Sequence, residues 1–253
     1  MNRVCFFILM STLSLLCLAQ GQSTQNNFNG LGIEFSAEYQ DIYLFRGRVL
    51  DEEAGVNGSL TLGVGRISYN YYSHQQLGSS EESFAETNHS IEMTWLTGSA
   101  VQTTGYRFYD FDNGMPDTQE LYYRIAYQSA WHPTFGTFLD IDSYSGYYFD
   151  LSLDRMIPLT RHSLTGLKLY IAGATGLTED SDRLGQIYEY GYFGDDGVTN
   201  GYAKLYFRWY PTNRWTFEVS YRYYKAFDEL LEQDPKTGTS LNMVSAKIRY
   251  VFP

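Results

Sequence analysis

The chain has little cysteine, and both cysteines lie near its start. Cys5 and Cys17 fall within residues 1–21, where the apolar run Val4 to Leu18 precedes Ala19-Gln20-Gly21, a small-x-small cleavage site. This order is typical of a secretory signal peptide. The region beyond it can therefore form no disulfide, thiol nucleophile or cysteine-based metal site.

Basic residues are also scarce, since 18 Lys and Arg face 29 Asp and Glu and the net charge is −11. Such acidity argues against a nucleic-acid partner. Beyond the N-terminal segment there is no apolar run long enough to span a membrane as a helix. The sequence nevertheless contains 24 Tyr and 16 Phe with a mean hydropathy of only −0.34. Many aromatics in a mildly polar chain favour membrane-spanning strands.

Histidine is rare, with only four in the chain. Asn88-His89-Ser90 resembles a catalytic triad in its composition, but adjacent residues of a strand point to opposite faces, so His89 is poorly placed to activate Ser90. Asp140 and Asp142 could hold Ca²⁺ weakly, although an ion pair with Arg124 is favoured. We therefore expect no enzyme activity, no metal site and no cofactor.

Alternation of apolar and polar residues is the dominant pattern. In Trp215 to Lys225 the aromatic and aliphatic side chains share one face and the polar ones share the other. Similar segments predict about twelve strands. They lie near Leu31 to Gln40, Gly55 to Val64, Arg66 to Ser73, His89 to Thr97, Val101 to Tyr109, Gln119 to Ala130, Phe135 to Asp142, Tyr147 to Arg155, Leu164 to Gly173, Gly201 to Trp209, Trp215 to Lys225 and Leu241 to Phe252.

The predicted connections alternate between short turns and long loops, as in bacterial outer-membrane barrels. A soluble all-β sandwich is the alternative. The faces assigned to lipid carry no charge, as residues such as Leu62, Ile91, Leu151, Leu169 and Leu205 illustrate. The sequence therefore predicts an all-β protein, a transmembrane antiparallel up-and-down barrel over residues 31–253, after a flexible lead-in over residues 22–30.

The opposite faces carry the charges and predict the pore lining. An acidic wall is expected from the fourth to eighth strands, with Glu92, Glu120, Asp140, Asp142, Asp150 and Asp154, relieved by Arg107 and Arg124. A basic wall is expected from the ninth to twelfth, with Lys168, Lys204, Arg208, Arg222, Lys247 and Arg249, relieved by Glu218. Across a wet lumen, two such walls would orient dipolar solutes.

A barrel of about twelve strands is intermediate between a filled interior and a wide channel. Passive diffusion of small polar or charged solutes is the favoured function, and a closed structural or adhesive barrel with acidic loops is the alternative. The loop from Ala174 to Asn200 contains enough aromatic residues to fold inward as a constriction, or to extend the strands above the membrane.

The segment Asp41-Ile42-Tyr43-Leu44-Phe45-Arg46-Gly47 resembles the signature of the TorF-type outer-membrane porin family of Gram-negative bacteria, and Asp117 to Tyr122 resembles a strand start of the same group. The resemblance implies an outer-membrane location and places Arg46 at the outer mouth, where Asp51 or Glu52 could pair with it. The last strand also ends in an aromatic residue, Phe252, as in substrates of the barrel-assembly machinery. Outer-membrane lipid and small polar solutes are the other expected partners, and the oligomeric state is left open.

Overall fold

The structure, a computed structural model, describes residues 28–78, 85–112, 116–143, 146–175, 197–227, 230 and 238–253. The predicted signal peptide and most of the lead-in lie outside these residues. So does most of the Ala174 to Asn200 loop, for which the sequence leaves open an inward fold or an extension of the strands above the membrane. No helix in the described part of the chain is long and apolar enough to cross a membrane.

Twelve antiparallel strands close into a barrel, in which each strand pairs with its neighbours in chain order and the first pairs with the last. The barrel strands are β1 (Phe28–Gln40), β4 (Gly55–Gly65), β5 (Ile67–Gln76), β6 (Ala85–Thr97), β7 (Ala100–Phe111), β8 (Thr118–Tyr127), β9 (Thr134–Asp140), β10 (Tyr147–Thr160), β11 (Ser163–Thr175), β12 (Gly197–Trp209), β13 (Trp215–Ala226) and β14 (Ser240–Val251). The predicted fold class and strand count are confirmed.

Two further strands lie within the first long connection. β2 (Tyr43–Phe45) and β3 (Arg48–Asp51) form a separate two-stranded sheet. We call residues 41–54 the hairpin segment. The sequence predicts no strand here, because strands of three and four residues are too short to show a period.

The two rims of the barrel differ as predicted. One rim, which we call the short-turn rim, carries tight connections such as Gly65 to Ile67 and Thr97 to Ala100. The other, the long-loop rim, carries the hairpin segment and the longer connections. β1 begins at Phe28, earlier than the predicted start at Leu31.

The outer face is apolar over most of its circumference. Large exposed side chains come from nearly every barrel strand, including Val64, Ile91, Met93, Leu121, Leu151, Leu169, Ile171, Leu205, Phe207 and Val219. At the short-turn rim Trp215 packs on Tyr250 at a ring-centroid distance of 4.5 Å, and Trp209 lies 5.4 Å from Phe217. An apolar band with an aromatic edge is the surface that a lipid bilayer requires.

Two inward tyrosines lie flat over glycines of the neighbouring strand. Tyr122 is directly opposite Gly105, and Tyr206 is directly opposite Gly166. A Cβ added at Gly105 would lie 2.4 Å from Cζ of Tyr122, and one at Gly166 would lie 2.3 Å from Cζ of Tyr206. The glycines therefore provide the space that the rings occupy.

Candidate functional site: the barrel interior

The tip of the hairpin segment is a two-residue turn with unusual backbone angles. Phe45 pairs with Arg48 across it, and both central residues have positive φ, 49° at Arg46 and 90° at Gly47. Positive φ at both positions is the geometry of a type I′ turn, which glycine adopts readily and arginine seldom adopts. Contacts of the surrounding barrel hold Arg46 in this conformation, as strained functional residues generally require.

Arg46 reaches inward and forms a buried ion pair with Glu120 of β8. Its side chain is 9% exposed and that of Glu120 is 1% exposed. The guanidinium carbon also lies 4.0 Å from the ring centroid of Phe138 and 4.4 Å from that of Tyr148. Arg46 is predicted at the outer mouth, with a salt bridge to Asp51 or Glu52 as the alternative; in the structure it forms an ion pair with Glu120 on the barrel wall.

Tyr43, at the start of β2, attaches the hairpin segment to the wall formed by β5 and β6. Its hydroxyl donates to Glu86 at 2.5 Å, and its ring stacks on His74 at 4.0 Å between centroids. Asn88 donates to the other Glu86 oxygen at 2.6 Å. Burial, with the nearby Glu86 carboxylate, raises the pKa of Tyr43 well above its usual value, so its hydroxyl remains a donor at physiological pH.

The backbone of the turn is held from the opposite side of the barrel. Asn200 of β12 donates to the carbonyl oxygen of Arg46 at 3.3 Å, and Tyr224 of β13 donates to that of Gly47. A Cβ on Gly47 would lie 2.3 Å from Nδ2 of Asn200, so the close approach needs glycine. With Phe45 packed edge-on against Tyr109 at 5.3 Å, the hairpin segment contacts wall strands on both sides of the interior.

Side-chain exposure differs along the barrel interior. Around the hairpin segment the inward residues are almost completely buried, including His74, Glu86, Tyr109, Thr118, Glu120, Phe138, Tyr148 and Tyr224. Nearer the short-turn rim the interior is mixed: Arg124 faces inward and is 45% exposed, whereas Met156, Leu164 and Tyr206 form a buried cluster. The interior is thus fully packed at the level of the hairpin segment and only partly packed below it.

The predicted acidic residues have mostly local partners. Glu92 accepts from Tyr122 at 2.5 Å, and Asp154 accepts from Tyr206 at 2.6 Å. Asp150 forms a 3.7 Å ion pair with Arg124. The predicted ion pair of Arg124 with Asp140 or Asp142 is therefore wrong. Asp150 of β10 lies at the same height in the barrel as Arg124 and pairs with it instead.

Asp140 and Asp142 do not share a strand face. Asp140 ends β9, is buried and accepts from Thr118 at 2.7 Å. Asp142 lies beyond the strand, where it is exposed and accepts from Gln119 at 2.9 Å. Among the described residues no group of three His, Cys, Asp or Glu side chains could hold a metal ion.

The predicted basic residues near the end of the chain pair with carboxylates that the sequence interpretation had not included. Arg249 donates to Glu34 through Nε at 2.5 Å and Nη2 at 2.6 Å, and Lys247 lies 3.8 Å from Glu38. Both glutamates belong to β1. Their role depends on barrel closure, which alone brings β1 beside β14.

Glu218 of β13 holds two cations of the same wall. It accepts from Lys204 at 2.7 Å and from Nε of Arg208 at 2.5 Å. Arg107, on the other side of the barrel, donates to the hydroxyl of Tyr109 at 3.2 Å and lies over the ring of Tyr122 at 5.0 Å. Local pairing therefore weakens the contrast between an acidic and a basic wall. Lys168 and Arg222 differ from the other basic residues of this wall, because neither forms an ion pair with a described carboxylate.

Comparison with known proteins identifies the architecture. No family model matches the sequence, and no curated protein matches it. The barrel is similar in fold to an outer-membrane channel from Pseudomonas putida F1, with a TM-score of 0.54 at 8% identity, over 88% of this chain and 96% of that one.

Two further solved structures are similar to the same degree. The NanC porin has a TM-score of 0.53 at 8% identity, over 86% of this chain and 98% of that one. LpxR from Salmonella typhimurium has a TM-score of 0.53 at 8% identity, over 87% of this chain and 100% of that one. At these identities the likeness establishes the outer-membrane barrel fold.

Proposed function

We propose that this protein is an outer-membrane channel for passive diffusion of small polar or charged solutes, in which the hairpin segment restricts the passage. Its apolar outer face supports a location in the outer membrane of a Gram-negative bacterium, with the short turns in the periplasm and the long loops outside. The observation that carries the proposal is the inward position of the hairpin segment, which fills the interior at its own level while the inward Arg124 nearer the short-turn rim stays 45% exposed. The pore-lining role of the predicted interior charges is part of it.

The same hairpin supports a second candidate, a closed barrel with a structural or adhesive role. If the hairpin segment never moves, it acts as a plug that closes the barrel. Its contacts with opposing walls, made by Tyr43, Phe45, Arg46 and Gly47, would then hold that plug in place. Catalysis is not part of either proposal. Membership of the TorF-type family is a further proposal, supported by the position of its motif, which covers the turn and β2.

Single-channel conductance in planar bilayers separates the two candidates. The full-length barrel is compared with a variant in which residues 42–52 are replaced by a short Gly/Ser linker. A channel gives a small conductance that rises when the hairpin is removed. If the folded wild-type protein does not conduct and the variant does, the closed barrel is correct. If extraction without detergent releases the protein from cells, the membrane location is wrong.

A further inference from the structure

Three cations lie in one row across the inner wall. Lys168 of β11 is directly opposite Lys204 of β12, which is directly opposite Arg222 of β13. Directly opposite residues have Cβ atoms about 4.5–5.5 Å apart, and like charges at that spacing destabilise a sheet. Two such like-charged pairs in succession lower the stability of the sheet, so the requirements of folding do not explain why these residues are cationic.

Compensation within the wall is incomplete. Glu218 is shared between Lys204 and Arg208. Among the described residues, no carboxylate oxygen lies within 4.0 Å of the charged nitrogens of Lys168 or Arg222. The Nε of Arg222 is buried without a hydrogen-bond partner in that same part of the chain. The row therefore carries excess positive charge and unused donors.

Aromatic rings lie beside this row, toward the long-loop rim. The guanidinium of Arg222 lies 4.6 Å from the ring centroid of Tyr202, which stacks on Tyr170 at 4.6 Å and 10°. Two residues beyond Arg222, Tyr224 donates to the turn of the hairpin segment at Gly47. The row thus lies directly below the hairpin segment, on the side of the short-turn rim.

We propose that Lys168, Lys204 and Arg222 form a binding site for solutes bearing carboxylate or phosphate groups. The guanidinium fork matches the geometry of both oxyanions, and the two ammonium groups add donors that a multivalent anion can use together. An anion bound there would remove the repulsion along the row. This inference deepens the channel proposal and rests on it, because the site lies on the passage.

Calorimetric titration of the full-length protein in detergent tests the site without requiring conduction. The probes are citrate, as a carboxylate, and inorganic phosphate. We expect at least one of the two probes to bind, with an affinity that falls as salt is added. The probe that binds more tightly shows whether the site prefers carboxylate or phosphate. Lys168→Gln and Arg222→Gln should each weaken binding roughly tenfold, since a hydrogen bond to a charged group contributes on that scale.

Arg161→Gln is the control, because it removes a positive charge from an exposed turn outside the interior. It should leave the affinity unchanged, and Lys168→Arg should retain binding if Lys168→Gln fails to fold. Equal weakening by Arg161→Gln, or no binding of either probe to the wild type, overturns the site. A barrel that binds citrate but never conducts overturns the channel and leaves the site standing.

Discussion

Arg46 and Glu120 form an ion pair inside the barrel, with both side chains almost completely removed from water. Arg46 is at the tip of the hairpin segment, and Glu120 belongs to β8. Glu120 also accepts from the Tyr109 hydroxyl at 3.2 Å. The pair therefore attaches the tip of the hairpin segment to the barrel wall.

Arg46→Gln should release the hairpin segment. Removing one partner of a buried pair leaves the other charge uncompensated, which costs about 3–5 kcal/mol. Hydrogen exchange over residues 41–54 should accelerate, and the conductance of single channels should rise or become noisy. The double variant Arg46→Gln/Glu120→Gln should lose less unfolding free energy than Arg46→Gln and Glu120→Gln lose in sum. Arg66→Gln, in an exposed turn, is the control. Equal rates of hydrogen exchange over residues 41–54 in Arg46→Gln and Arg66→Gln would contradict the role of the pair.

Gly47→Ala should displace the turn more than its backbone strain alone predicts. The new methyl group would meet Asn200 in addition to requiring a positive φ. Gly65→Ala separates the two effects, because Gly65 has φ 61° and nothing within 4 Å of an added Cβ. We expect a loss of about 1 kcal/mol in unfolding free energy for Gly65→Ala. A larger loss is expected for Gly47→Ala, with partial rescue by Asn200→Ala; equal losses would rule out the steric contact.

Charge reversal at Lys204 and Arg208 should move ion selectivity toward cations. Lys204→Glu/Arg208→Glu places two carboxylates beside Glu218, which now neutralises both side chains. The reversal potential in a salt gradient measures the change. Arg161→Glu alters the charge in an exposed turn outside the interior and should have a much smaller effect. An unchanged reversal potential in the double variant would show that ions do not pass this wall.

Gly105→Ala should disturb the ring of Tyr122. Overpacking of this kind costs about 1–3 kcal/mol, and the displaced hydroxyl would lose its bond to Glu92. Gly58→Ala in β4 is the matched control, since an added Cβ there meets nothing within 4 Å. It should be neutral or slightly stabilising in urea unfolding of the folded barrel. A neutral result for Gly105→Ala would mean that the Tyr122 ring is not held over the glycine.

The strands were predictable because each carries its own period. In β13, Trp215, Val219 and Tyr221 are exposed on the outer face, while Glu218 and Arg222 face inward, as the alternation indicated. A charge on the lipid side costs about 2–4 kcal/mol at the bilayer midplane, so the pattern is strongly constrained. Local sequence was therefore sufficient for the fold class, the strand order and the assignment of faces.

The partners of the interior charges were not predictable in the same way. A pair of Arg46 with Asp51 or Glu52 was the local alternative that the sequence offered; Asp51 is opposite Tyr43 at the base of the hairpin, while Arg46 is at its tip. The carboxylate that Arg46 contacts belongs to β8, and that of Arg249 belongs to β1. Pairings of this kind depend on barrel closure and on an inward hairpin, neither of which has a local period.

The position of the hairpin segment near the start of the chain fixes the order in which the molecule can be completed. Gly47 is bonded to Tyr224, a separation of 177 residues, and Arg46 to Asn200, a separation of 154. The segment is synthesised early, yet the half of its docking surface that β12 and β13 supply exists only once those strands are in place. Complete docking is therefore a late folding step, and a barrel arrested before closure should leave residues 41–54 more open to proteases.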